Sequence, residues 1–267
     1  MKLEVRSPKH EREGIHIPAE ASRLSRPFNG TICSKKGDEY TIENNIIDLL
    51  TEKQSYTLAQ STNEWGLTAA VYEDIWRVRS LSLLTGESFP IEKEKELLQE
   101  WVGPKAGGLY LDVGCSTAIY ARALKKAESE STQVALDFSK AMLEEARMKA
   151  EANQTDMFLV RADARKLPFF AKTFDGVMMG GTLNELSDEL KVLFECRRVL
   201  KENGTFFMMH LLQADAWYGK VLQNSAEWSG LKFWTLEESN DLFSRAGFTV
   251  EDQMVKGIVC FSKLNPV

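Results

Sequence analysis

The ten residues 109–118, LYLDVGCSTA, constrain the fold of this chain more than any other stretch. The apolar run indicates a buried strand that leads through a tight turn into a helix over residues 117–127. An open α/β sheet presents a nucleotide at its carboxyl edge in this way, with small residues that let backbone N–H groups approach the ligand. The small residues here are Gly114, Ser116 and Ala118, and we expect Ser116 and Ala118 to disfavour positive φ. The stretch is also compatible with an ordinary strand–helix unit, because the three glycines of a pyrophosphate-binding loop are absent.

The composition argues against several classes of function. The chain has 267 residues and a net charge of −6, which argues against nucleic-acid binding as its main function. No apolar run approaches the roughly 20 residues of a membrane span, and we expect a cytoplasmic protein. The four cysteines are far apart and form no C-x-x-C pair, which fits free thiols in a reducing compartment. Three histidines make a His-rich metal site improbable.

Four segments are predicted along the chain. Residues 1–27 are charged and contain three prolines, which favours an irregular tail. Residues 28–52 predict a small β module, because two β-prone runs flank a Lys-Gly-Asp turn and indicate a hairpin. Residues 53–103 have apolar positions at helical spacing and predict a helical cap. The breaker GPKAGG at 103–108 then leads into a core domain, which we assign to residues 104–267.

Within the core domain, predicted strands and helices alternate. After the opening strand, further strands are expected over residues 134–137, 157–160, 174–180 and 205–210, and helices over 139–152, 190–200 and 236–245. Two final runs at 248–255 and 258–263 predict a closing antiparallel hairpin. This order predicts an α/β fold with a mostly parallel sheet covered on both faces.

Three acids follow three successive strands. Asp112 precedes the glycine turn, Asp137 ends the second strand, and Asp163 lies just past the third. Because the carboxyl ends of parallel strands share one edge, these carboxylates should lie along a nucleoside-binding crevice. Asp137 would accept hydrogen bonds from the ribose hydroxyls, Asp163 one from the exocyclic amine of adenine, and the Ala164 N–H would bond a ring nitrogen. The alternative for Asp137 is a helix cap or a solvated acid.

The same residues carry a family resemblance. The runs LDVGC at 111–115, ALDFSKAML at 135–143 and RADARKLPF at 161–169 are similar to three motifs of class I S-adenosylmethionine-dependent methyltransferases. The runs FDGV at 174–177 and RVLKENGT at 198–205 are similar to the next two. The resemblance is strongest to the small-molecule branch of ubiquinone and menaquinone biosynthesis, and it extends to uncharacterised cyanobacterial and plastid methyltransferases.

The resemblance implies a Rossmann-like sheet of seven strands with an antiparallel last strand, and S-adenosylmethionine as cofactor, with S-adenosylhomocysteine as product. Asp112 and the turn would face the methionine end, Gly180 would border the sulfonium, and Tyr72 would close over the methionine. The β module resembles a zinc-ribbon-like segment that precedes some methyltransferase domains, but Cys33 stands alone, so we expect no metal. The implied cofactor-contacting residues are Tyr72, Asp112, Gly114, Cys115, Ser116, Asp137, Phe138, Met142, Asp163, Ala164 and Gly180.

Two residues are candidates for a general base. His210 ends the fifth strand and is the one candidate that titrates near pH 7, although a lone His on an apolar strand is more often a core residue. Glu185 follows the fourth strand, where an acid also fits an ordinary helix N-terminus. Methyl transfer from a sulfonium needs mainly in-line positioning and exclusion of water, so a base is required only for a protonated acceptor.

Aromatic residues suggest how an acceptor could be covered. The segment 213–235 is rich in aromatic side chains and predicts a lid over an apolar or aromatic acceptor, with packing on the sheet edge as the alternative. The residues that we expect to contact the acceptor are Trp76, Asn184, Trp217 and Tyr218.

The sequence therefore predicts a methyltransferase that acts on a small, partly apolar or aromatic molecule, as a monomer or homodimer, with no nucleic-acid partner. The first alternative is a catalytically altered protein of the same fold that serves as a binding or regulatory partner. A nicotinamide-dependent oxidoreductase ranks last, because the G-x-G-x-x-G motif is absent.

Overall fold

A computed structural model of the chain describes residues 3–50, 82, 84–214, 220, 223 and 230–267. Its strands are β1 (Leu3–Arg6), β2 (Gly14–Ile17), β3 (Gly30–Cys33), β4 (Glu39–Glu43), β5 (Ile46–Asp48), β6 (Leu109–Val113), β7 (Thr132–Asp137), β8 (Phe158–Arg161), β9 (Phe174–Gly180), β10 (Leu200–Leu211), β11 (Phe248–Lys256) and β12 (Val259–Pro266). Its α-helices are α1 (Ile91–Val102), α2 (Ile119–Ala127), α3 (Lys140–Ala152), α4 (Glu189–Val199) and α5 (Leu236–Arg245). Three short 3-10 helices cover Ala19–Ser22, Ala164–Lys166 and Thr182–Glu185.

The described strands other than β1 and β2 form one sheet in the order β11-β12-β10-β9-β6-β7-β8-β5-β4-β3. Strands β6 to β10 pair in parallel, whereas β12 runs antiparallel to both of its neighbours, β10 and β11. The predicted α/β class, the mostly parallel sheet and the antiparallel last strand are confirmed. The sheet also contains three strands from the N-terminal part of the chain, which the sequence did not predict to join it.

Helices cover both faces of the sheet, as predicted. Alternate residues of β10 point to opposite faces: Phe206 packs in the cluster that contains Phe243 of α5, and Phe207 packs in the cluster that contains Leu98 of α1 and Leu124 of α2. Because the helices occupy both faces, the carboxyl ends of β6 to β9 are left as the edge where a ligand can enter.

The predicted β module over residues 28–52 continues the large sheet. Strands β3, β4 and β5 form the expected antiparallel turns, and β5 then lies parallel beside β8, with Ile47 opposite Val160. Both of these residues are fully buried, so the module shares its core with the α/β domain. The domain boundaries themselves stay predictions.

Part of the segment predicted to be an irregular tail is an ordered hairpin. Strands β1 and β2 pair antiparallel, with Leu3 opposite Ile17 and Val5 opposite Ile15. These four side chains are buried, while Glu4 and His16 between them are exposed. The period-two alternation was present in the sequence, but the prolines and charges around it concealed two strands of only four residues each.

The predicted helical cap lies outside the described residues over 53–81 and at 83. Its final part is α1, which begins at Ile91 after Pro90 and ends at Gly103 in the left-handed conformation. This helix lies within the predicted cap. No described helix has the length and the apolar character that a membrane span requires.

Candidate functional site

A cavity opens where β6, β7, β8 and β9 end. It brings together eight of the residues predicted to contact a cofactor. It is lined by Gly114, Ser116, Leu136, Asp137, Phe138, Met142, Ala162, Asp163, Ala164, Arg165, Gly180, Gly181, Thr182, Glu185, Leu186 and Ser187. Parallel strands bring these residues to one edge of the sheet although they come from four separate stretches between positions 114 and 187.

A smaller hollow adjoins the cavity at the first turn. Asp112, Gly114, Cys115, Ser116, Ile119, Tyr120 and Gly180 line it, so the predicted residues Asp112 and Cys115 lie here. The Asp112 carboxylate is buried and accepts a hydrogen bond from the backbone N–H of Ala121 at 3.1 Å. That bond ties the end of β6 to the first turn of α2. Burial raises the pKa of the Cys115 thiol well above its ordinary value, which keeps it protonated.

The turn after β6 has positive φ at alternate residues. The φ values are 63° at Gly114, 48° at Ser116 and 58° at Ala118. Ser116 and Ala118 therefore adopt a positive φ that residues with a side chain disfavour. The turn adopts the backbone that glycine favours without having glycine at the second and third positions, which costs free energy at each of them.

Asp137 connects two backbone segments that border the cavity. Its Oδ2 accepts from the N–H of Ser116 at 2.8 Å, and its Oδ1 accepts from the N–H of Ser139 at 2.9 Å. The residue is 6% exposed. Burial raises the pKa of this carboxyl, and hydrogen bonds from the Ser139, Ser116 and Phe138 amides oppose that rise. A buried carboxylate that keeps unused lone pairs is suited to accept hydroxyl protons of a ligand.

Asp163 lines the cavity, and its carboxylate accepts hydrogen bonds from Arg165. It caps the short helix Ala164–Lys166 by accepting from the Arg165 N–H at 2.9 Å. The Arg165 guanidinium also contacts both carboxylate oxygens, at 3.0 to 3.1 Å. The sequence interpretation did not include Arg165. An acid followed two residues later by a basic residue at a strand exit was the available signal for this pair.

The backbone around Gly180 leaves no room for a side chain. A Cβ on Gly180 would lie 2.6 Å from Cε2 of Tyr120. The Tyr120 hydroxyl is hydrogen-bonded to the carboxylate of Glu94, a buried residue of α1. On the other side, Thr182 Oγ1 donates to the carbonyl of Gly114 at 3.1 Å. Tyr120 and Thr182 thus hold the exits of β6 and β9 together, and the sequence interpretation missed both.

The two predicted bases lie in different places. Glu185 lines the cavity at the end of the helix Thr182–Glu185. His210 does not line it: the side chain is fully buried, and its ring packs edge-on against Phe243 of α5. Burial lowers the pKa of His210 to about 4, and neither ring nitrogen has a hydrogen-bond partner among the described residues. The structure therefore does not support His210 as a base that touches a substrate.

Asn184 also lies away from the cavity lining. Its amide nitrogen donates to the carbonyls of Leu211 and Lys232 at 2.9 and 2.6 Å, and its carbonyl oxygen accepts from the Leu211 N–H at 2.8 Å. The side chain is buried. These three bonds use the amide to join β10 to the segment before α5. The predicted contact between Asn184 and an acceptor is not supported.

Four further predicted residues lie outside the described residues. They are the cofactor candidate Tyr72 and the acceptor candidates Trp76, Trp217 and Tyr218. The predicted lid over residues 213–235 is described at 213–214, 220, 223 and 230–235. Within the described parts of the chain, no group of three or more His, Cys, Asp or Glu residues is placed to hold a metal ion.

Known proteins share this architecture. A family model described as a methyltransferase domain matches residues 111–208. An uncharacterised chloroplastic methyltransferase of Arabidopsis thaliana is 31% identical over 145 residues, which are 52% of this chain and 40% of that protein. A demethylmenaquinone methyltransferase of Bacillus velezensis is 31% identical over 182 residues, 59% of this chain and 78% of that protein. The solved structure of an S-adenosylmethionine-dependent methyltransferase from Aquifex aeolicus has a TM-score of 0.55 and 23% identity, over 65% of this chain and 89% of that one.

The strand order and the crevice at the ends of β6 to β9 define a Rossmann-like class I methyltransferase fold. The chain belongs to the methyltransferase family. It spans less than half the length of the Arabidopsis relative and about three quarters of the Bacillus protein.

Proposed function

We propose that this protein is an S-adenosylmethionine-dependent methyltransferase whose acceptor is a small, partly apolar or aromatic molecule. One observation carries the proposal: Asp137 and Asp163 line a single cavity together with the first turn of the sheet. A carboxylate for hydroxyl groups and a second one for an amine, at successive strand ends, complement an adenine nucleoside.

The chemistry of the lining fits the nucleoside half of the cofactor. Asp137 supplies acceptors for two ribose hydroxyls, and the Ala164 N–H is a donor suited to a ring nitrogen. Leu136, Phe138 and Met142 supply apolar surface for a purine face. The smaller hollow beside Gly114 and Gly180 is suited to the methionine end, because neither glycine presents a side chain there.

S-adenosylmethionine, when bound, supplies a methyl group on a positively charged sulfur. The residues of this chain would bind the cofactor, orient the methyl group toward the acceptor and exclude water from both. The close packing of Tyr120 on Gly180 fixes the wall of the hollow, and Leu186 adds apolar surface next to Glu185. Glu185 would accept the proton of a hydroxyl acceptor as the oxygen is methylated. Orientation and exclusion of water are the main catalytic needs of such a displacement.

The acceptor class is supported by a relative. The Bacillus protein is named for demethylmenaquinone, and the match covers 59% of this chain. A hydroxylated aromatic ring is therefore the acceptor class that we propose to test first. Free thiols at Cys33, Cys115, Cys196 and Cys260 fit the cytoplasm as the proposed compartment.

The alternative is a binding or regulatory protein with the same fold. Ser116 and Ala118 favour it, since they replace glycines in the turn and narrow the approach to the backbone. Binding of the cofactor would be compatible with both functions, whereas methyl transfer would occur in one of them.

The test is calorimetric titration with S-adenosylmethionine and S-adenosylhomocysteine. Wild-type protein should bind both, Asp137→Asn should weaken binding at least tenfold because one acceptor oxygen is lost, and Asp241→Asn on the exposed face of α5 should bind like wild type. Transfer of labelled methyl to a panel of hydroxylated naphthalenes then separates the two functions. Cofactor binding without transfer to any acceptor would favour the regulatory alternative, and absence of binding to the wild type would overturn the proposal.

A further inference from the structure

Arg161, the last residue of β8, connects three parts of the molecule with one side chain. Its Nε donates to the backbone carbonyl of Phe138 at 2.9 Å, and its Nη1 donates to Oδ2 of Asp48 at 3.0 Å. The side chain is 22% exposed and does not line the cavity. Any effect of Arg161 on a ligand is therefore exerted through the residues that it holds.

Arg161 lies between the two walls of the crevice. One wall is the exit of β7, with Asp137 and Phe138, and the other is the exit of β8, with Ala162 and Asp163. A backbone bond from the Ala162 N–H to the Asp137 carbonyl, at 3.1 Å, joins the walls at their base. The bond from Arg161 to Phe138 joins them again, one residue beyond the end of β7. The guanidinium is thus a second link between the two walls.

Asp48 fixes the other end of the guanidinium. It ends β5 and lies opposite Arg161 in the parallel pairing with β8. Its Oδ1 accepts from the Leu50 N–H at 3.1 Å, and the Leu49 N–H donates to the carbonyl of Arg161 at 2.9 Å. Because its own turn restrains the Asp48 carboxylate, it can hold the guanidinium fork in one orientation.

We infer that Arg161 is a positioning residue for the adenine side of the crevice, and that Asp48 orients it. The inference rests on the proposed binding of S-adenosylmethionine. It makes the N-terminal strands part of the cofactor site, since β5 supplies the carboxylate that sets the distance between the two walls.

A second ion pair between the same two parts of the chain provides a matched control. Lys140 of α3 contacts Glu43 of β4 at 2.7 Å, but the two side chains are 40% and 62% exposed. Neither residue lines the cavity. Removal of this pair tests whether the loss of any ion pair between the N-terminal strands and the core domain is enough to weaken ligand binding.

The test compares two ligands by calorimetry: S-adenosylhomocysteine, and S-inosylhomocysteine, in which oxygen replaces the exocyclic amine. Arg161→Met should lower the affinity for S-adenosylhomocysteine about tenfold and should lower the preference for this ligand over the inosyl ligand, because the wall that carries Asp163 is no longer linked to Phe138. Arg161→Lys should not restore affinity, since an ammonium group cannot bond both partners as a planar guanidinium does.

Asp48→Asn should lower the affinity less than Arg161→Met does. The double variant of Arg161→Met and Asp48→Asn should bind no worse than Arg161→Met alone. Lys140→Met should stay within about twofold of wild type, as expected for an exposed pair.

Thermal unfolding of each variant identifies any protein that does not fold, and Asp48→Asn serves as the readout should Arg161→Met fail. If the wild type binds S-adenosylhomocysteine, and Arg161→Met and Asp48→Asn bind it with the same affinity and the same preference over the inosyl ligand, the inference is overturned. An equal loss for both ligands would also overturn it, because that result marks a general structural role. A wild type that binds neither ligand would instead overturn the proposed function.

Discussion

The carboxylate of Asp137 accepts a hydrogen bond from the backbone N–H of Ser116, with 2.8 Å between Oδ2 and the nitrogen. This bond joins the end of β7 to the turn after β6. The residue that would bind the ribose therefore also sets the conformation of the turn that would face the methionine end. Substitution of either residue should therefore alter the contacts with both the ribose and the methionine end of the cofactor.

Cofactor affinity should fall on acidification because of Asp137. Burial raises the pKa of this carboxyl above its usual value. Ribose hydroxyls donate to the ionised form, so affinity is full above the raised pKa and declines as the pH falls through it. The decline should begin at a higher pH than for an ordinary aspartate. Titration with S-adenosylhomocysteine at a series of pH values measures this, and Asp137→Asn should have lower affinity without the same pH dependence. A wild-type affinity that is constant down to the usual range of a free carboxyl would contradict the assignment.

Glycine at position 116 should stabilise the protein. Ser116 has φ of 48°, a conformation that costs an L-residue about 1–2 kcal/mol relative to glycine. Part of that gain is offset by the greater freedom of glycine in the unfolded chain. Ser116→Gly should therefore raise the free energy of unfolding by about 0.5–1 kcal/mol in urea denaturation. The control is Ser129→Gly, where φ is not positive, and it should lower that free energy slightly. A destabilised Ser116→Gly would mean that contacts of the hydroxyl outweigh the strain.

Replacement of His210 by Leu should preserve cofactor binding and remove an acid dependence of stability. The pKa of His210 is lowered to about 4 by burial, so the unfolded chain takes up its proton first as the pH falls. Stability from the neutral ring is complete above pH 6.5 and is lost between 6.5 and 4, by up to about 3 kcal/mol. Urea denaturation at pH 7 and pH 5 should show a smaller difference for His210→Leu than for wild type. His16→Gln, at an exposed position of β2, should behave as wild type. Loss of methyl transfer in a folded, cofactor-binding His210→Leu would restore His210 as a candidate base.

Asn184 should matter for stability and not for acceptor affinity. Asn184→Asp would turn a carboxylate toward the carbonyls of Leu211 and Lys232, which now accept from the amide. We expect a loss of about 2–4 kcal/mol in the free energy of unfolding, whereas Asn203→Asp at an exposed position should change little. A stable Asn184→Asp protein with a raised KM for the acceptor would instead support the substrate contact predicted from the sequence.

The sequence was most informative where side-chain periodicity and motif coincide. The bounds of β9 and α5 agree with the predicted ones, because a buried apolar run sets the first and a capping box at Thr235 and Glu238 begins the second. Asp137, Asp163 and the glycine turn were also placed together correctly, since parallel strands carry them to one edge. Pattern alone is sufficient for such features.

Features that depend on side-chain partners could not be predicted in this way. Nothing in the local pattern indicates that the Asn184 amide donates to two backbone carbonyls, or that Asp48 pairs with Arg161, 113 positions away in the chain. The position of His210 at a strand end suggested the cavity, whereas its ring is buried against Phe243 and does not line the cavity. These relationships arise from the tertiary packing of separate elements.

A crystal structure of the protein grown with saturating S-adenosylhomocysteine tests the central claim most directly. The account predicts that the ribose hydroxyls lie within hydrogen-bonding distance of the Asp137 carboxylate, with the exocyclic amine toward Asp163 and the homocysteine end beside Gly114 and Gly180. A ligand bound elsewhere, or an empty crevice at saturating ligand, would contradict it.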